Sequence, residues 1–505
     1  MTSVTPTSGA PTPPIAIAGT ASAATAHLTA PLVLLDDDFL RRLADSCADV
    51  ALDPGDRAEA SRDWWPLAMV WATEGEVGQV AGAVARPTSV DEVANVLRLC
   101  NEARVPVTPA AGRSSVVGGT VPVHGGVVLD LCGLEGITTV DSTSCIVEVW
   151  AGTFGDRFED ELQATHGLTV GHWPQSMALS TVGGWLACRG AGQLSNRYGK
   201  IEDIVVGLEV VLADGSVVRT GGQPRQAVGP DLTQLFVGSE GTLGVITRAW
   251  LQAWPAPTHT ARSSWGFATF SAGLDAMRRI VQRGAQTAVL RLYDEVESQR
   301  NFAVEPGVNV LLAFDEGDPV VVDAGMVVVD QECVTADRLD DALVEQWFGH
   351  RNNVDALEAL ISKGYVVDTM EISGPWSTLD AIYREATAAI TAVPGTMAVS
   401  AHQSHSYVTG ACLYFTFGAK VEPAERDGYY TAAWEAGTRA VLAQGGSLSH
   451  HHGVGLNRAR FVGEALGAGL DVLAAIKAAL DPQGICNPGK LGLPEPFGAV
   501  RWPAS

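Results

Sequence analysis

The stretch Pro109–Gly119 reads PAAGRSSVVGG and lies between two segments with the composition of strands, VPVT at 105–108 and VVLDL at 127–131. Its small residues allow successive backbone N–H groups to turn toward one concavity, which is how a loop holds phosphate without a lysine. Arg113 would add a positive charge to such a nest. Taken alone, the loop is more typical of an ordinary turn, so its interpretation depends on the rest of the chain.

Composition excludes several classes of function. The chain has 505 residues and a net charge of −24, which disfavours binding to a nucleic-acid backbone or to an anionic membrane surface. The 8 cysteines are scattered without CxxC pairs, which is typical of reduced thiols in a cytosolic protein. No apolar run reaches the roughly 18 residues that a membrane span needs. We therefore expect a cytoplasmic protein without a transmembrane span, acting on a small molecule.

Residue types divide the chain into five segments. Residues 1–34 are rich in Ala, Thr, Ser and Pro and predict a disordered tail. Residues 35–81 predict a helical segment, and residues 82–254 predict an α/β unit with glycine-rich loops. Residues 255–455 alternate strand and helix patterns again and predict a cap over the first unit. Residues 456–505 contain a helix that we expect to return to the first unit.

Two further stretches share the small residues of the first loop. Residues 171–203 read GHWPQSMALSTVGGWLACRGAGQLSNRYGKIED, and their glycines and alanines indicate close approach of the backbone to a neighbour. Residues 236–247 read FVGSEGTLGVIT, in which a glycine turn enters a strand. A tightly packed turn region would explain each stretch alone, whereas the three in this order suggest one ligand.

These stretches carry a resemblance to a known family. STVGGW, YGKIED, GSEGTLGVIT and, near the C-terminus, GGSLSHHHGVG resemble the flavoproteins of the vanillyl-alcohol oxidase type, most closely the alkylglycerone-phosphate (alkyl-dihydroxyacetone-phosphate) synthases. The resemblance is dense over Val84–Trp254 and returns over His405–Leu491. It implies an α+β fold, in which a PCMH-type FAD-binding domain of two α/β subdomains carries an α/β cap with a mostly antiparallel sheet.

The resemblance also implies FAD as the cofactor. The loop at residues 109–119, which we call the phosphate loop, contains no histidine, so we expect FAD to bind non-covalently. The first loop would hold the pyrophosphate, the second stretch would line the isoalloxazine and ribityl chain, and the third would hold the adenine side. The residues implied are Pro109, Ala110, Ala111, Gly112, Arg113, Ser114 and Ser115, then Gln175, Ser176, Met177, Ala178, Leu179, Ser180, Thr181, Cys188, Arg189, Gly190 and Ala191, then Glu240, Gly241, Thr242, Leu243, Gly244, Val245 and Ile246.

The candidate catalytic groups are three histidines and a tyrosine. His450, His451 and His452 could move protons near neutral pH, could form structural hydrogen bonds, or could bind a metal. We expect no metal, because consecutive residues in an extended segment point to opposite faces and at most two could share one ion. Tyr414 is implied as an acid–base by the resemblance. A phenol with its ordinary pKa near 10 would need a neighbouring cation, for example a protonated histidine, to act as a base.

The sequence differs from the family in the segment that would bind the substrate. The synthases carry an arginine ahead of a Pro-Trp dipeptide that holds the substrate phosphate, and residues 356–376 here contain none. The nearest cations are Arg351, upstream, and Lys363, and Arg458 and Arg460 could replace the missing arginine. The implied reaction exchanges the acyl group of acyl-dihydroxyacetone phosphate for a fatty alcohol through a flavin N5 adduct, in ether-lipid synthesis by a homodimer. The alternatives are an FAD-dependent oxidase or dehydrogenase of a D-2-hydroxy acid or alcohol, and a non-catalytic flavin-binding protein.

Overall fold

The computed structural model describes residues 9–23 and 27–503. The strands, in chain order, are β1 (Ser22–Ala23), β2 (Val50–Ala51), β3 (Glu76–Val77), β4 (Ala83–Ala85), β5 (Val107–Ala110), β6 (Val127–Asp130), β7 (Ile137–Asp141), β8 (Ile146–Trp150), β9 (Leu168–Thr169), β10 (Val205–Val211), β11 (Val217–Gly221), β12 (Val245–Gln252), β13 (Trp254–Pro255), β14 (His259–Phe267), β15 (Val289–Tyr293), β16 (Asn309–Gly317), β17 (Asp337–Arg338), β18 (Val366–Pro375), β19 (Thr396–Ser406) and β20 (Gly410–Ala419).

Helices connect these strands and cover the sheets. In chain order they are α1 (Asp37–Ser46), α2 (Pro54–Ala60), α3 (Pro66–Ala72), α4 (Val90–Ala103), α5 (Gly155–His166), α6 (Val182–Cys188), α7 (Ser195–Tyr198), α8 (Ile201–Ile204), α9 (Leu232–Phe236), α10 (Phe270–Gln282), α11 (Glu295–Phe302), α12 (Pro319–Glu332), α13 (Ala342–His350), α14 (Asp355–Ile361), α15 (Trp376–Thr391), α16 (Arg426–Ala443), α17 (Val462–Leu466) and α18 (Gly469–Leu480). None of the helices in the described ranges is long and apolar enough to cross a membrane.

The first subdomain is a four-stranded sheet with the order β2-β4-β6-β5, in which β4, β6 and β5 run parallel. Helix α4 covers it, because Ser89 caps the helix by accepting a hydrogen bond from the Glu92 N–H and because Val93, Val96 and Leu97 form a buried stripe. The quoted loop begins where β5 ends. It therefore lies at the carboxyl edge of a parallel sheet, where open α/β sheets bind ligands.

The second subdomain is a five-stranded antiparallel sheet with the order β11-β10-β12-β8-β7. Helix α6 packs against β12 and starts at Thr181, whose hydroxyl accepts a hydrogen bond from the Gly184 N–H. The segment 171–203 thus enters this subdomain through a short capped helix. Together the two sheets confirm the predicted pair of α/β subdomains.

The cap is a seven-stranded antiparallel sheet with the order β17-β14-β16-β15-β19-β20-β18. Side chains along β20 alternate between its two faces. Leu413, Phe415 and Phe417 are buried in the core against α15 and α16, whereas Tyr414 and Thr416 point to the opposite face. The sheet therefore presents one polar face to the two subdomains, which we call the FAD-type subdomains after the fold that the resemblance implies.

The N-terminal segment corrects one expectation. Thr12 O accepts a 3.0 Å hydrogen bond from Trp64 Nε1, β1 pairs in parallel with β3, and Leu28 is fully buried. The prediction of a disordered tail is therefore wrong for residues 9–23 and 27–34, because tertiary partners that composition does not show satisfy its backbone. Residues 1–8 lie outside the described residues.

The C-terminal segment contacts the first subdomain. Lys477 Nζ on α18 donates to Thr242 O at 2.7 Å, and the Val107 N–H on β5 donates to Ile485 O at 2.8 Å. The chain thus crosses from the cap back to the parallel sheet that starts the phosphate loop. The cysteines are all free thiols, five of them buried.

Candidate active site

A cavity of about 810 Å³ lies between the two FAD-type subdomains and the polar face of the cap sheet. On one side it is lined by the loop after β5, by the segment around α6 and by the turn before β12. On the other side it is lined by β15, by β18 to β20 and by His451 and His452 of the turn His450–His452, which we call the histidine turn. The three glycine-rich stretches of the sequence therefore meet at one place.

The phosphate loop and the second stretch touch each other directly. A Cβ atom added to Gly112 would lie 2.1 Å from Leu179 O, so only glycine fits this position. The next residue, Arg113, has φ of +55°, and its Nη1 lies 3.2 Å from Asp130 Oδ2. The Arg113 charge is thus shared with a buried carboxylate.

Glu240 joins the third stretch to the histidine turn. Its buried carboxylate accepts hydrogen bonds from the backbone N–H groups of Val454 at 2.6 Å and Gly455 at 2.8 Å. Burial raises the pKa of Glu240, and these two hydrogen bonds oppose the rise. Asn487 Nδ2 donates to Glu240 O and to Gly119 O, which fixes the turn against the phosphate loop.

Most of the predicted cofactor residues line the cavity, and the others point elsewhere. Met177 packs beneath Gly155, Arg189 Nε lies 3.6 Å from Glu202, the Thr242 hydroxyl donates to Ser239 O, and Leu243 belongs to the apolar core. Ala178 is the remaining predicted residue outside the lining. The family resemblance identified the segments but not the direction in which each side chain points.

The cavity wall carries buried polar atoms without protein partners within the described residues. They include Thr120 Oγ1, Gln193 Oε1, Asn487 Oδ1 and both ring nitrogens of His172. Burial lowers the pKa of His172 to about 3, so this ring is neutral and can accept as well as donate. Buried polar groups are normally paired, and a polar ligand with hydroxyls and ring nitrogens, such as FAD, fits them.

Tyr414 and His451 form the central pair of the cap side. The Tyr414 hydroxyl lies 2.5 Å from His451 Nε2, and the Tyr414 ring stacks on His402 with centroids 4.7 Å apart. Burial raises the pKa of Tyr414 well above its usual value and lowers the pKa of His451 well below it. Both shifts favour the neutral forms of the two groups, and activation of the phenol by a neighbouring cation stays a prediction.

The histidine turn is held by Glu371 on β18. This fully buried carboxylate accepts hydrogen bonds from the backbone N–H groups of His450 and His452 and from the Ser449 hydroxyl. Arg458 Nη1 lies 3.0 Å from Glu371 Oε1. Burial alone would raise the pKa of Glu371, but Arg458 and the other partners lower it, so the group is a carboxylate.

The two arginines expected to bind a substrate phosphate lie outside the cavity lining, which corrects that prediction. Arg458 is fully buried between Glu371 and the Trp434 ring, 4.9 Å from its centroid. Arg460 stacks on Phe461 at 4.4 Å and Trp502 at 4.8 Å. Proximity in sequence to the histidine turn did not reveal that Glu371 neutralises the first of them.

Two other arginines line the cavity: Arg291, which was not expected there, and Arg351, the nearest arginine upstream of residues 356–376. Arg291 on β15 donates from Nη2 to His402 Nε2 at 2.6 Å, while its buried Nε has no partner among the described residues. Arg351, after α13, lies over Phe348 at 4.5 Å. Burial lowers the pKa of Arg351, which Glu316 opposes. The alternation of β15 could have placed Arg291 on the polar face, since its neighbours are buried.

The contacts of His402 define its protonation. An arginine can only donate, so His402 Nε2 accepts from Arg291 and the proton sits on Nδ1, which donates to Glu297 at 2.8 Å. Although burial would raise it, the pKa of Glu297 is lowered to about 2 by His402 and Arg300. His402 is therefore a neutral ring locked between a cation and a carboxylate.

Three imidazoles from two elements come close together. Nitrogen atoms of His405, His450 and His451 lie within 4.8 Å of one another, and His405 Nδ1 is buried without a partner within the described part of the chain. Consecutive residues of the histidine turn can supply at most two ligands to one ion. His405 on β19 supplies a third nitrogen, which the sequence did not suggest. That the site holds no metal stays a prediction.

Comparisons with known proteins agree with this geometry. Residues 81–221 match an FAD binding domain, and residues 256–491 match the C-terminal domain of FAD linked oxidases. An uncharacterized FAD-linked oxidoreductase of Escherichia coli K12, YgcU, is 32% identical over 431 residues, covering 82% of this chain and 89% of the relative. The chain belongs to the FAD-linked oxidase family. FAD is its cofactor, and non-covalent attachment stays a prediction.

Other similar proteins have names that describe different reactions. The alkyldihydroxyacetonephosphate synthase of Dictyostelium discoideum is 29% identical, with 82% of this chain and 74% of the relative covered. The mitochondrial cytochrome D-lactate dehydrogenase of Arabidopsis thaliana is also 29% identical, with 82% and 73% covered. A solved alkyldihydroxyacetonephosphate synthase superposes with a TM-score of 0.78 at 25% identity, covering 97% of this chain and 91% of its own. The predicted family and fold are thus confirmed.

Proposed function

We propose that this chain is an FAD-dependent oxidoreductase of a small 2-hydroxy acid. One observation carries the proposal: Arg291 and Tyr414 contact the same His402 ring, Arg291 at its Nε2 edge and Tyr414 on its face. A carboxylate held by the Arg291 guanidinium, which lines the cavity, would bring the adjacent α-carbon and hydroxyl of a small substrate toward the phenol. A carboxylate next to a hydroxyl is the pattern that defines a 2-hydroxy acid.

The residues have separate tasks in this reaction. Arg291 binds and orients the carboxylate, and Glu297 holds His402 so that Arg291 keeps its position. Tyr414 accepts the substrate hydroxyl proton as it passes its own proton to His451 Nε2. FAD, when bound, supplies the acceptor for the hydride of the α-carbon. The hydroxy acid thereby loses two electrons and two protons and becomes a 2-oxo acid.

A second candidate is the acyl-for-alkyl exchange of the synthases. It is favoured by the structural likeness along nearly the whole chain and by the Tyr414–His451 pair. Its substrate carries a phosphate, and neither Arg458 nor Arg460 lines the cavity. In this candidate Arg291 and Arg351 would have to hold the phosphate instead, and this weaker fit places the exchange second.

Electron accounting separates the two candidates. The purified protein is mixed without oxygen with D-lactate and longer D-2-hydroxy acids, and separately with an acyl-dihydroxyacetone phosphate plus a fatty alcohol. We expect a hydroxy acid to bleach the flavin absorbance and an added dye to restore it with turnover. Release of fatty acid without dye reduction, and no bleaching by any hydroxy acid, would overturn the proposal in favour of the exchange.

A variant tests the role of Arg291. Arg291→Gln removes the charge of the guanidinium, so we expect KM for the hydroxy acid to rise roughly 10²-fold or more, as for a lost charge-assisted hydrogen bond. The matched control is Arg384→Gln on the exposed surface of α15, which removes the same charge away from the cavity. Equal KM values in both variants would show that Arg291 does not bind the substrate.

A further inference from the structure

Four side chains form one unbroken line of hydrogen bonds from the cavity into the cap. The Tyr414 hydroxyl lies 2.5 Å from His451 Nε2, His451 Nδ1 lies 2.8 Å from His450 Nδ1, and His450 Nε2 lies 2.6 Å from the Tyr407 hydroxyl. We call these residues the phenol–imidazole chain. Only Tyr414 and His451 line the cavity, and the chemistry described so far uses no others.

Proton positions along this chain are coupled. A neutral imidazole has one N–H donor and one acceptor nitrogen, and a phenol has one O–H. Each of the three contacts can therefore hold only one proton. If Tyr414 donates to His451, then His451 must donate to His450 and His450 must donate to Tyr407. The reverse arrangement is equally bonded, and the two differ by a shift of every proton by one bond.

We propose that His450 and Tyr407 act as a proton relay that carries the substrate hydroxyl proton from Tyr414 out of the cavity. The substrate proton forms a bond to Tyr414 Oη as the Tyr414 proton moves to His451 Nε2. The His451 proton moves from Nδ1 to His450 Nδ1, the His450 proton moves from Nε2 to Tyr407 Oη, and the Tyr407 proton leaves to water. One proton is lost by the substrate and one is gained by solvent, with no change of redox state in the chain.

The far end of the chain lies beside an exposed segment. Tyr407 follows β19, is half-buried and is followed by Val408, whose exposed fraction is 60%. Its backbone is fixed, since the Trp376 indole donates to Tyr407 O at 2.8 Å and the Tyr407 N–H donates to Gly410 O. Lys200 Nζ likewise donates to His450 O at 2.7 Å. The relay thus joins Tyr414, a half-buried phenol that lines the cavity, to Tyr407, a half-buried phenol beside the exposed Val408.

The surroundings disfavour simpler routes. Burial keeps the pKa of both histidines well below and the pKa of both phenols well above their usual values. No member can therefore store the proton as a stable ion, and a single Tyr414–His451 pair would have to form a buried imidazolium next to His450. Passing the charge onward in one concerted shift avoids that state.

The first test does not depend on any substrate. The FAD-loaded protein is prepared with isotope-labelled histidine, and NMR reports the protonation of each ring nitrogen, with Tyr407→Phe as the variant. A relay predicts neutral, singly protonated His450 and His451, and it predicts that Tyr407→Phe shifts the His451 nitrogens although Tyr407 does not bond to that ring. A change confined to His450, an imidazolium, or a metal bound to these nitrogens would overturn the relay.

The second test is kinetic and rests on the proposed function. In single turnovers with a hydroxy acid, Tyr407→Phe should slow flavin bleaching roughly 10-fold or more and reduce the solvent deuterium isotope effect. The control is Tyr429→Phe, a buried cap tyrosine whose hydroxyl bonds only to Thr396 among the described residues. Unchanged kinetics in Tyr407→Phe, or an equal loss in both variants, would overturn the relay. If no hydroxy acid bleaches the flavin, the proposed function fails and the NMR result alone decides the relay.

Discussion

At the scale of single residues, burial decides what Tyr414 can do. A phenol in water has a pKa near 10. Here desolvation raises the pKa of Tyr414 further, and the neutral His451 supplies no positive charge to lower it. Tyr414 cannot wait as a phenolate for a substrate. It can accept a proton only while it donates its own, so its hydrogen bond to His451 is part of the chemistry and not only of the packing.

The first prediction concerns the hydroxyl of Tyr414. Tyr414→Phe keeps the ring that stacks on His402 but removes the hydroxyl, so turnover should fall roughly 10²-fold or more, as for a lost general acid–base. The measurement is steady-state kinetics on FAD-loaded protein, with the flavin spectrum as a check on folding. Tyr429→Phe, which loses a hydroxyl elsewhere in the cap, should keep its activity. If both variants kept full activity, Tyr414 would be a core residue of the cap.

At the scale of elements, the histidine turn depends on one carboxylate in the neighbouring strand. Glu371 on β18 pairs across the sheet with Tyr414 on β20 and accepts the N–H groups of His450 and His452. Glu371 therefore fixes the turn relative to the phenol. It also forms an ion pair with Arg458. Because both side chains are fully buried, this carboxylate is the counter-charge of the guanidinium in the core.

The second prediction tests this anchor. Glu371→Gln has the same shape but leaves the Arg458 guanidinium without a counter-charge in the core. Breaking a buried ion pair on one side costs about 3–5 kcal/mol, so thermal or urea unfolding should show a loss of that size. Glu385→Gln on the exposed face of α15 should change stability little. Equal stability of both variants would mean that Arg458 is accommodated without Glu371.

The third prediction concerns the contact between the phosphate loop and the second stretch. In Gly112→Ala the new methyl group would meet Leu179 O at 2.1 Å, so the two segments must separate. We expect the purified variant to hold less FAD. The measurement is the ratio of flavin to protein absorbance after acid denaturation, which should release intact FAD from the parent chain. Gly428→Ala on α16, where no atom lies within 4 Å, is the control and should retain FAD. Full flavin content in Gly112→Ala would show that the loop can yield.

Elements were easier to predict than the directions of side chains. The glycine-rich stretches and the family resemblance that they carry predicted the three FAD segments, and the same resemblance singled out Tyr414, because backbone requirements are local in sequence. Arg458 shows the limit. Its position next to the histidine turn suggested substrate binding, but a carboxylate 87 positions away claims it. His405 was missed for the same reason, since only the fold brings β19 to the turn.

At the scale of the whole molecule, the two ends of the chain join the FAD-type subdomains to the cap. His27 bonds to both Glu76 and Asp427 on α16, and the Trp71 indole donates to Asp427 at 3.0 Å. Arg501 pairs with Thr29, and Trp502 packs edge-on against Trp65. Composition suggested a tail in the first of these segments because alanine, threonine and proline carry no periodic pattern. Its order comes from partners far away in sequence.

The fourth prediction removes part of this connection. Thr12, Pro13 and Pro14 lie beside Arg62, Asp63 and Arg113, the last of which belongs to the phosphate loop. Thr12 O also accepts the indole N–H of Trp64, a residue that lines the cavity. A chain lacking residues 1–23 leaves that buried indole without its partner, which costs about 1–3 kcal/mol, and opens one side of the loop. We expect a lower melting temperature and faster loss of FAD on dilution, measured by flavin fluorescence.

Trp64→Phe keeps the segment but removes the same hydrogen bond, so it should reproduce part of the stability loss without the faster FAD release. If the shortened chain kept both the melting temperature and the FAD release rate of the full chain, the N-terminal segment would lie on the surface without supporting the site.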